Sequence, residues 1–555
     1  MPGLFGFHDN TEVKNERLIH DIERILKYSE NNYLDEVFIH NEVCIGRVAN
    51  GILNKEPMPY KHRDLLIWLD GEIYNYDEML EQLNIHNIRS AEAIIGEIIY
   101  LRKNNLFAKV DGVFSAVIYD SKNKEILLVS DRNGLKNLYY LVHNEKFYWF
   151  SEVKVAKVLK KFKIQIDKNS VNVFFEKYNR GHLNGDKTWV ERIKLLEEAM
   201  VVKWSIKQKR ITFTEKYWSY DNISIYKEDT INRIEAIEEL SRLFKKAVKK
   251  RHSNKESIGL FISGGLDSRA IFAAIPHSFR NKINLISLGE KGSAELKIAR
   301  MVSALRDSEY KEHLIYSGNW LEKRLLGLWK VDGHVSLSHF HLQLSSIVKE
   351  EKPFDINLSG FLGDAIVGGS YIQSEERGDF FKNIRNRGRR RINEAMNAVS
   401  HSVLHRYPFL DNDLMNFILA LPQEWIKGSK LYNEMLLNTF PEYFMFIPWE
   451  KTGYPISQEN HFDFNFDKKM VEFYSFGAPN YGTLLREDKE KKLVEYILFE
   501  NKNRIYNNFI NEKYVKYEWE MHVKKEKNYS INILKYVSFE IWLQQLFESN
   551  YISLG

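Results

Sequence analysis

The sequence predicts an α/β protein of two domains, in which a β-sheet sandwich covered by helices precedes a parallel α/β sheet with a helical end. Three observations carry that expectation. The first half is a run of short apolar strands separated by turn residues, the second alternates apolar strands with helical segments, and 555 residues at 44% hydrophobic content can bury more than one core.

In chain order, the strand signals of the first half include Glu42-Val43-Cys44-Ile45, Leu65-Leu66-Ile67-Trp68-Leu69, Phe114-Ser115-Ala116-Val117-Ile118-Tyr119 and Glu125-Ile126-Leu127-Leu128-Val129. Helical stretches interrupt them near residues 77–83 and 91–102, the second repeating its apolar residues at Ile94, Ile95, Ile98 and Ile99. A polar stretch around Tyr220 to Thr230 precedes a helix with apolar positions at Ile237, Leu240, Leu243, Phe244 and Val248. The expected domains are therefore 1–220 and 235–555. Beyond the boundary, Ile258-Gly259-Leu260-Phe261-Ile262 and Ile283-Asn284-Leu285-Ile286-Ser287 alternate with helices near 270–277 and 294–305, the pattern of a parallel sheet. The C-terminal part reads as helical and ends on Ile541-Trp542-Leu543-Gln544-Gln545-Leu546-Phe547.

Composition excludes several classes. The 80 basic and 75 acidic side chains leave a net charge of +5, small for this length, so no nucleic-acid partner is expected. Cys44 is the single cysteine, which rules out an internal disulfide framework and a cysteine-based zinc cluster and fits a reducing compartment. No segment has signal-peptide character or approaches the ~18 consecutive apolar residues of a membrane span. A cytoplasmic protein without a membrane partner is expected; a homodimer stays open as an assembly.

The strongest local signal is Ser263-Gly264-Gly265-Leu266-Asp267-Ser268, placed between an apolar strand and the helix-forming Arg269-Ala270-Ile271-Phe272-Ala273-Ala274. The glycines permit a tight turn with free backbone N–H groups, and the helix that follows aims its positive end at the same point. Such a loop can cradle pyrophosphate, with Asp267 placed to hold Mg²⁺ and Ser263 and Ser268 offering hydroxyls. A bare Gly-Gly pair would read first as an unliganded turn. The full hexapeptide favours phosphate, and it lacks the Lys and spacing of a Walker A loop. It resembles the ATP-pyrophosphatase loop, whose enzymes cleave ATP between the α- and β-phosphates and make adenylates.

From here the chain resembles the asparagine synthetase family over nearly its full length. Met1-Pro2-Gly3-Leu4-Phe5-Gly6-Phe7, Gly71-Glu72-Ile73-Tyr74-Asn75, Asp131-Arg132-Asn133-Gly134-Leu135 and Ser151-Glu152-Val153-Lys154 are similar to a class II glutamine amidotransferase domain. Leu288-Gly289, Ser359-Gly360-Phe361-Leu362-Gly363-Asp364, Tyr407-Pro408-Phe409-Leu410-Asp411 and Lys451-Thr452-Gly453-Tyr454 match the synthetase domain in the same order. The resemblance implies an Ntn-type αββα sandwich followed by a doubly wound parallel ATP-pyrophosphatase domain. It further implies that Phe261 and Leu288 line the adenine pocket through their backbones and that Ser359 and Gly360 contact the nucleotide. Asp364 would be a second Mg²⁺ ligand, and Lys451 would neutralise the departing pyrophosphate.

Two departures from the family shape the functional expectation. Active glutaminases of the family carry a nucleophilic cysteine after the initiator Met, where this chain has Pro2. Cys44 reads as a small buried hydrophobe. The family's oxyanion-binding Asn-Gly becomes Asp70-Gly71, whose carboxylate would repel an oxyanion, and its Gly-Ser-Asp corresponds to Arg89-Ser90-Ala91. Arg47 alone matches a substrate-carboxylate ligand. Glutamine hydrolysis is therefore not expected, as in the β-lactam synthetases, carbapenam synthetases and lasso-peptide cyclases that resemble the same family.

On the acceptor side, two glutamates of the family correspond to Phe361 and Leu404, neither able to accept a proton. Adenylation needs phosphate positioning and Mg²⁺, whereas attack by an amine needs a base. His405 and Tyr407 are candidates for that base, and packing beside Pro408 is an equal alternative. His334 and His339 lie where the family places acceptor contacts. Arg385, Arg387, Arg389, Arg390 and Arg391 form a basic run that reads first as a solvated surface and second as a binder of acidic groups. The expected function is an ATP- and Mg²⁺-dependent ligase that adenylates a small-molecule or peptide carboxylate and joins it to an amine. Asparagine synthesis from ammonia, intramolecular cyclisation and a silent nucleotide-binding scaffold remain alternatives, whereas tRNA thiolation lacks its cysteines.

Overall fold

Alternating apolar residues draw the first half of the chain into two antiparallel sheets. The computed structural model describes residues 2–13, 15–86, 90–226, 231–252, 256–276, 283–315, 320–458 and 480–547. The strands in order are β1 (Gly3–His8), β2 (Tyr33–Leu34), β3 (Phe38–His40), β4 (Val43–Ala49), β5 (Tyr60–His62), β6 (Leu65–Ile73), β7 (Gly112–Asp120), β8 (Glu125–Ser130), β9 (Tyr139–His143), β10 (Lys146–Phe150), β11 (Ile193–Leu195), β12 (Met200–Ser205) and β13 (Arg210–Lys216). One sheet runs β11-β9-β10-β1-β4-β2, with β3 also on β4; the other runs β13-β12-β8-β7-β6-β5.

Strand alternation decides which face each residue takes. In β4, Val43 and Ile45 turn to the core between the sheets, while Cys44 and Val48 turn to the opposite face with Leu18, Ile22 and Leu26 of the helix Glu16–Leu26. Phe147 of β10 and Trp204 of β12 stack across the sandwich at 4.9 Å. The helix Ala91–Tyr100 lies on β5 and β6, and its isoleucines join the same core. This is the expected helix–sheet–sheet–helix sandwich.

The second half adds β14 (Ile258–Phe261), β15 (Asn284–Glu290), β16 (Glu309–Ile315), β17 (Ile356–Leu358) and β18 (Leu404–Arg406), all paired in parallel in the order β16-β15-β14-β17-β18. The chain winds outward from β14 to β16 and returns through β17 on its other side. The loops after β14 and β17 therefore open at a topological switch point, where open parallel sheets bind ligands.

The two halves do not fold apart. The helix Ser530–Phe547 is buried along most of its length, its polar Lys535, Glu540 and Gln544 included, and it packs on both the helix Lys168–Phe175 and the helix Trp320–Lys330. Tyr220, expected in a polar linker, is buried, with its ring stacked on Phe381 at 5.3 Å and its hydroxyl on Asn133. Residues 227–230 of that stretch and Arg89 lie outside the described residues. The basic run also departs from the solvated reading. Ile384–Asn393 forms a helix with the wider π-type winding, in which Arg389 and Arg390 are buried. Arg389 donates to the carbonyls of Gly134 and Leu196 and pairs with Glu198 at 3.2 Å, because those carbonyls would otherwise be buried without donors.

Candidate active site

The helix Leu266–Ala274 begins after Gly265 with no side-chain cap, so its first N–H groups stay available. Ser263 and Ser268, expected as ligand donors, first stitch the loop itself. Their hydroxyls lie 3.0 Å apart, the Ser263 N–H reaches Ser268 Oγ and the Gly265 N–H reaches Ser263 Oγ. From the other side of the switch point, Ser359-Gly360 and Gly363-Asp364 close on Asp267. Asp267 accepts from the Asp364 N–H at 2.7 Å and from the Tyr432 hydroxyl at 3.1 Å. The motif glycines permit this approach: a Cβ on Gly360 would sit 2.8 Å from Asp267 Cβ, and one on Gly363 would sit 2.5 Å from its Cγ.

Electrostatics mark the pair as a place for a cation. Burial first, and then the Asp364 carboxylate, push Asp267 up to about 8. Two acidic residues lining one space next to a phosphate-binding loop fit Mg²⁺, which takes one or two carboxylates and completes its shell with phosphate oxygens and water. Among the described residues no group of three or more His, Cys, Asp or Glu side chains forms an all-protein metal cage.

A cavity of about 300 Å³ spreads from these groups. Phe261, Leu288, Ser263, Ser268, Ser359 and Gly360 line it with Asp267 and Asp364, whereas Gly264, Gly265 and Leu266 of the same expected set are not on its wall. Phe361, Leu362, Ile392 and Met396 give its middle an apolar wall. Lys451 is not on that wall. It is exposed, with Nζ 4.9 Å from the centre of the Trp449 ring, although the neighbouring Glu450 N–H meets the Gly264 carbonyl at 3.4 Å.

Both candidate bases have partners of their own. His405 lines the cavity, but Nδ1 accepts from Asn357 at 2.9 Å and Nε2 donates to the Met396 carbonyl at 3.0 Å. Burial holds the ring down at about 4. Tyr407 donates to Asn393 at 2.9 Å, lies outside the large cavity, and has its hydroxyl raised well above the usual range by burial. His334 is also elsewhere, 3.3 Å from the Tyr139 hydroxyl and 3.6 Å from Glu394.

Several contributors escaped the sequence reading. Glu295 accepts from the Gly264 N–H and is pushed up to about 8 by burial and then by Glu450. Arg269, fully buried, ties Gly264 to the carbonyls of Ile447 and Pro448 and so fixes the loop against the segment carrying Lys451. A charged residue inside the apolar run Leu266–Ala274 was the available signal for it. Asn357 links the Phe261 N–H to His405, and nothing in the sequence marks it.

In the sandwich, residues of the glutaminase-like motifs have partners of their own. Arg47, the candidate carboxylate ligand, spends its donors on Asp35 at 2.5 Å and on the carbonyls of Leu69, Asn54 and Glu56. Asp70 is not a bare repulsive charge, since Lys136 neutralises it at 3.0 Å. The space beside them holds only about 20 Å³, about one water. Cys44 is wholly buried, and burial pushes its thiol up to about 12. Glu72 forms a bidentate pair with Arg406 at 2.8 Å, Asp131 accepts the N–H groups of Phe114, Asn133 and Leu135, and Arg251 bridges Asp111 to Asp411. These bonds hold the two halves together and shape their turns.

Two family models match the chain in succession. Residues 1–218 match the family model described as a glutamine amidotransferase domain, and residues 239–400 match that of asparagine synthase. Two putative glutamine-hydrolysing asparagine synthetases of Methanocaldococcus jannaschii are similar: number 1 is 25% identical over 71% of this chain and 70% of its own length, and number 2 is 28% identical over 49% and 54%. A glutamine-hydrolysing asparagine synthetase of Bacillus subtilis is 23% identical over 67% of this chain and 59% of its own. Among the described residues no helix is long and apolar enough to cross a membrane.

Proposed function

This chain belongs to the asparagine synthetase family of ATP-dependent carbon–nitrogen ligases, and from that premise we propose that it joins a carboxylic acid to an amine without hydrolysing glutamine. The observation that carries the reading is the meeting of Asp267 and Asp364 on a phosphate-binding loop, inside a cavity with room for an acyl group.

In the first half-reaction a carboxylate oxygen of the acid attacks the α-phosphorus of ATP. The new bond is an acyl phosphate ester to AMP, and the bond to the β-phosphate bridging oxygen breaks. The uncapped start of the helix Leu266–Ala274 receives the charge of pyrophosphate as it forms. Asp267 and Asp364 would hold Mg²⁺, which neutralises phosphate charge. Lys451, beside the loop on the segment fixed by Arg269, would add a further positive charge. In the second half-reaction a neutral amine attacks the acyl carbon, AMP leaves with the electrons of the acyl C–O bond, and the proton shed by the nitrogen passes to the departing phosphate or to water.

The imidazoles on the cavity wall are poor proton acceptors: His405 is sealed by its partners, and burial holds His341 down at about 3. An amine that arrives unprotonated suits such a site, which predicts that amide formation accelerates as pH rises toward the amine's own pKa. Pro2, the Lys136–Asp70 pair and the partners already held by Arg47 all support an amine that does not come from glutamine.

ATP–pyrophosphate exchange across a panel of carboxylic acids tests the reading. At least one acid should support exchange, Asp267→Asn and Asp364→Asn should abolish it while the protein stays folded, and glutamine should release no ammonia. Exchange with no acid leaves the silent scaffold as the better account. Ammonia release from glutamine would overturn glutamine independence.

A further inference from the structure

Apart from the nucleotide cavity, and sharing no residue with its wall, a second cavity of about 240 Å³ opens at the seam between the two halves. The first half supplies Glu78 and Gln82 from the helix Tyr76–Gln82, Asp111 just before β7 and Arg132 just after β8. The second half supplies Lys250 from the end of the helix Arg233–Lys250 and Asn416 from the helix Asn412–Ala420. Glu78, Gln82 and Asn416 stand exposed at the rim, whereas Asp111 and Arg132 are 2% and 3% exposed at the floor.

Buried charge on this wall is matched except at Arg132. Asp111 holds Arg251 at 2.7 Å and lies 3.6 Å from Lys250, which also holds Asp411 at 3.1 Å. Asp413, further along the wall, holds Lys246 at 2.9 Å. Arg132 has no carboxylate within ion-pair range among the described residues. It donates to the side-chain oxygen of Asn416, lays its guanidinium over the Trp218 ring at 3.7 Å, and keeps Nε buried without a partner. Burial lowers its pKa to about 10, against the pull of the more distant Asp111 and Asp411. A cation taken from water is costly until an anion joins it. The floor also carries an idle acceptor, since Asp111 Oδ2 is buried with no hydrogen bond.

We propose that this cavity binds a small polar carboxylate, whose carboxylate group pairs with Arg132 and whose neighbouring hydroxyl or ammonium group donates to Asp111 Oδ2. Guanidinium N–H groups match carboxylate oxygens in direction as well as in charge. The side-chain amides of Gln82 and Asn416 add donors and acceptors at the rim, and of the wall only Met79 and Ala108 are apolar. Such a lining suits an amino acid or a sugar acid, both of which carry a donor beside the carboxylate. Because the wall comes from both halves, the ligand ties them together, and its binding is independent of the adenylation chemistry.

Calorimetric titration of the full chain with threonine and with gluconate tests the assignment, with threonine amide and sorbitol as their counterparts without a carboxylate. At least one of the two acids should bind and raise the thermal midpoint as its concentration rises, while the counterparts do neither. The better acid identifies the donor as ammonium or hydroxyl. Arg132→Gln should weaken the binding about 10- to 100-fold. Arg132 also packs on Trp218, so a second variant separates lost binding from lost folding. Asn416→Asp, on the exposed rim, brings Arg132 a carboxylate of the protein's own; it should lose the ligand and raise the thermal midpoint of the unliganded chain. Counterparts that bind as tightly as the acids, unchanged binding in Asn416→Asp, or no binding of either acid would each overturn the proposal.

Discussion

Asp267 shows how much one side chain depends on what is missing around it. Its carboxylate reaches Asp364 only because positions 360 and 363 carry no Cβ, so Gly360→Ala or Gly363→Ala should displace it by a fraction of an ångström to an ångström. Misplacement on that scale costs about 100-fold in rate, and ATP–pyrophosphate exchange by either variant should fall by that order. His182 gives a second measurement at this scale. Burial, and then Arg391 and its neighbours, lower it from 6.5 to about 3, so the folded protein holds it neutral while the unfolded chain takes up a proton below about 6.5. Its contribution to stability is thus present at neutral pH and is lost as pH falls from 6.5 toward 3. Urea midpoints of the wild type should drop more steeply between pH 7 and pH 4.5 than those of His182→Gln; parallel curves would refute the assignment. Local chemistry of the phosphate loop was legible in the sequence because it depends on neighbours within six positions. The sealing of His405 was not, since Asn357 lies 48 residues away along the chain.

The helix Ile384–Asn393 shows what an element does with a charge run. Its pattern looks solvated when read along the chain, yet Arg389 is fitted to carbonyls of the other domain, and only two of the five arginines remain without hydrogen-bond or carboxylate partners among the described residues. Removing one partner of a buried ion pair leaves the other uncompensated, so Arg389→Ala should lose about 3 kcal/mol in chemical denaturation. Arg387→Ala, whose guanidinium only covers a ring, should lose far less. Strand and helix positions themselves were readable: β4, β6, β7, β8, β14 and β15 coincide with apolar runs or alternations, and the helix Arg233–Lys250 with its 3.6-residue period.

Over the whole molecule, Arg406–Glu72, Arg251–Asp111 and the helix Ser530–Phe547 join halves that have separate sheets. Calorimetric unfolding should therefore show one cooperative transition, and residues 1–226 expressed alone should be unstable, with Glu72 and Asp111 deprived of their cations. Two resolved transitions would contradict this. The sequence by itself determined the order of the elements, the phosphate loop and its family resemblance, and the absence of a nucleophile at Pro2, because each follows from residue types at short spacing. The tertiary structure alone decided that Asp364 meets Asp267 from 97 residues away and that His405 and Tyr407 have hydrogen-bond partners of their own. Local pattern sets which way a side chain points within its own strand or helix. Which buried group satisfies which other is settled only when the sheets pack, since an unpaired charge costs more than any local preference can repay.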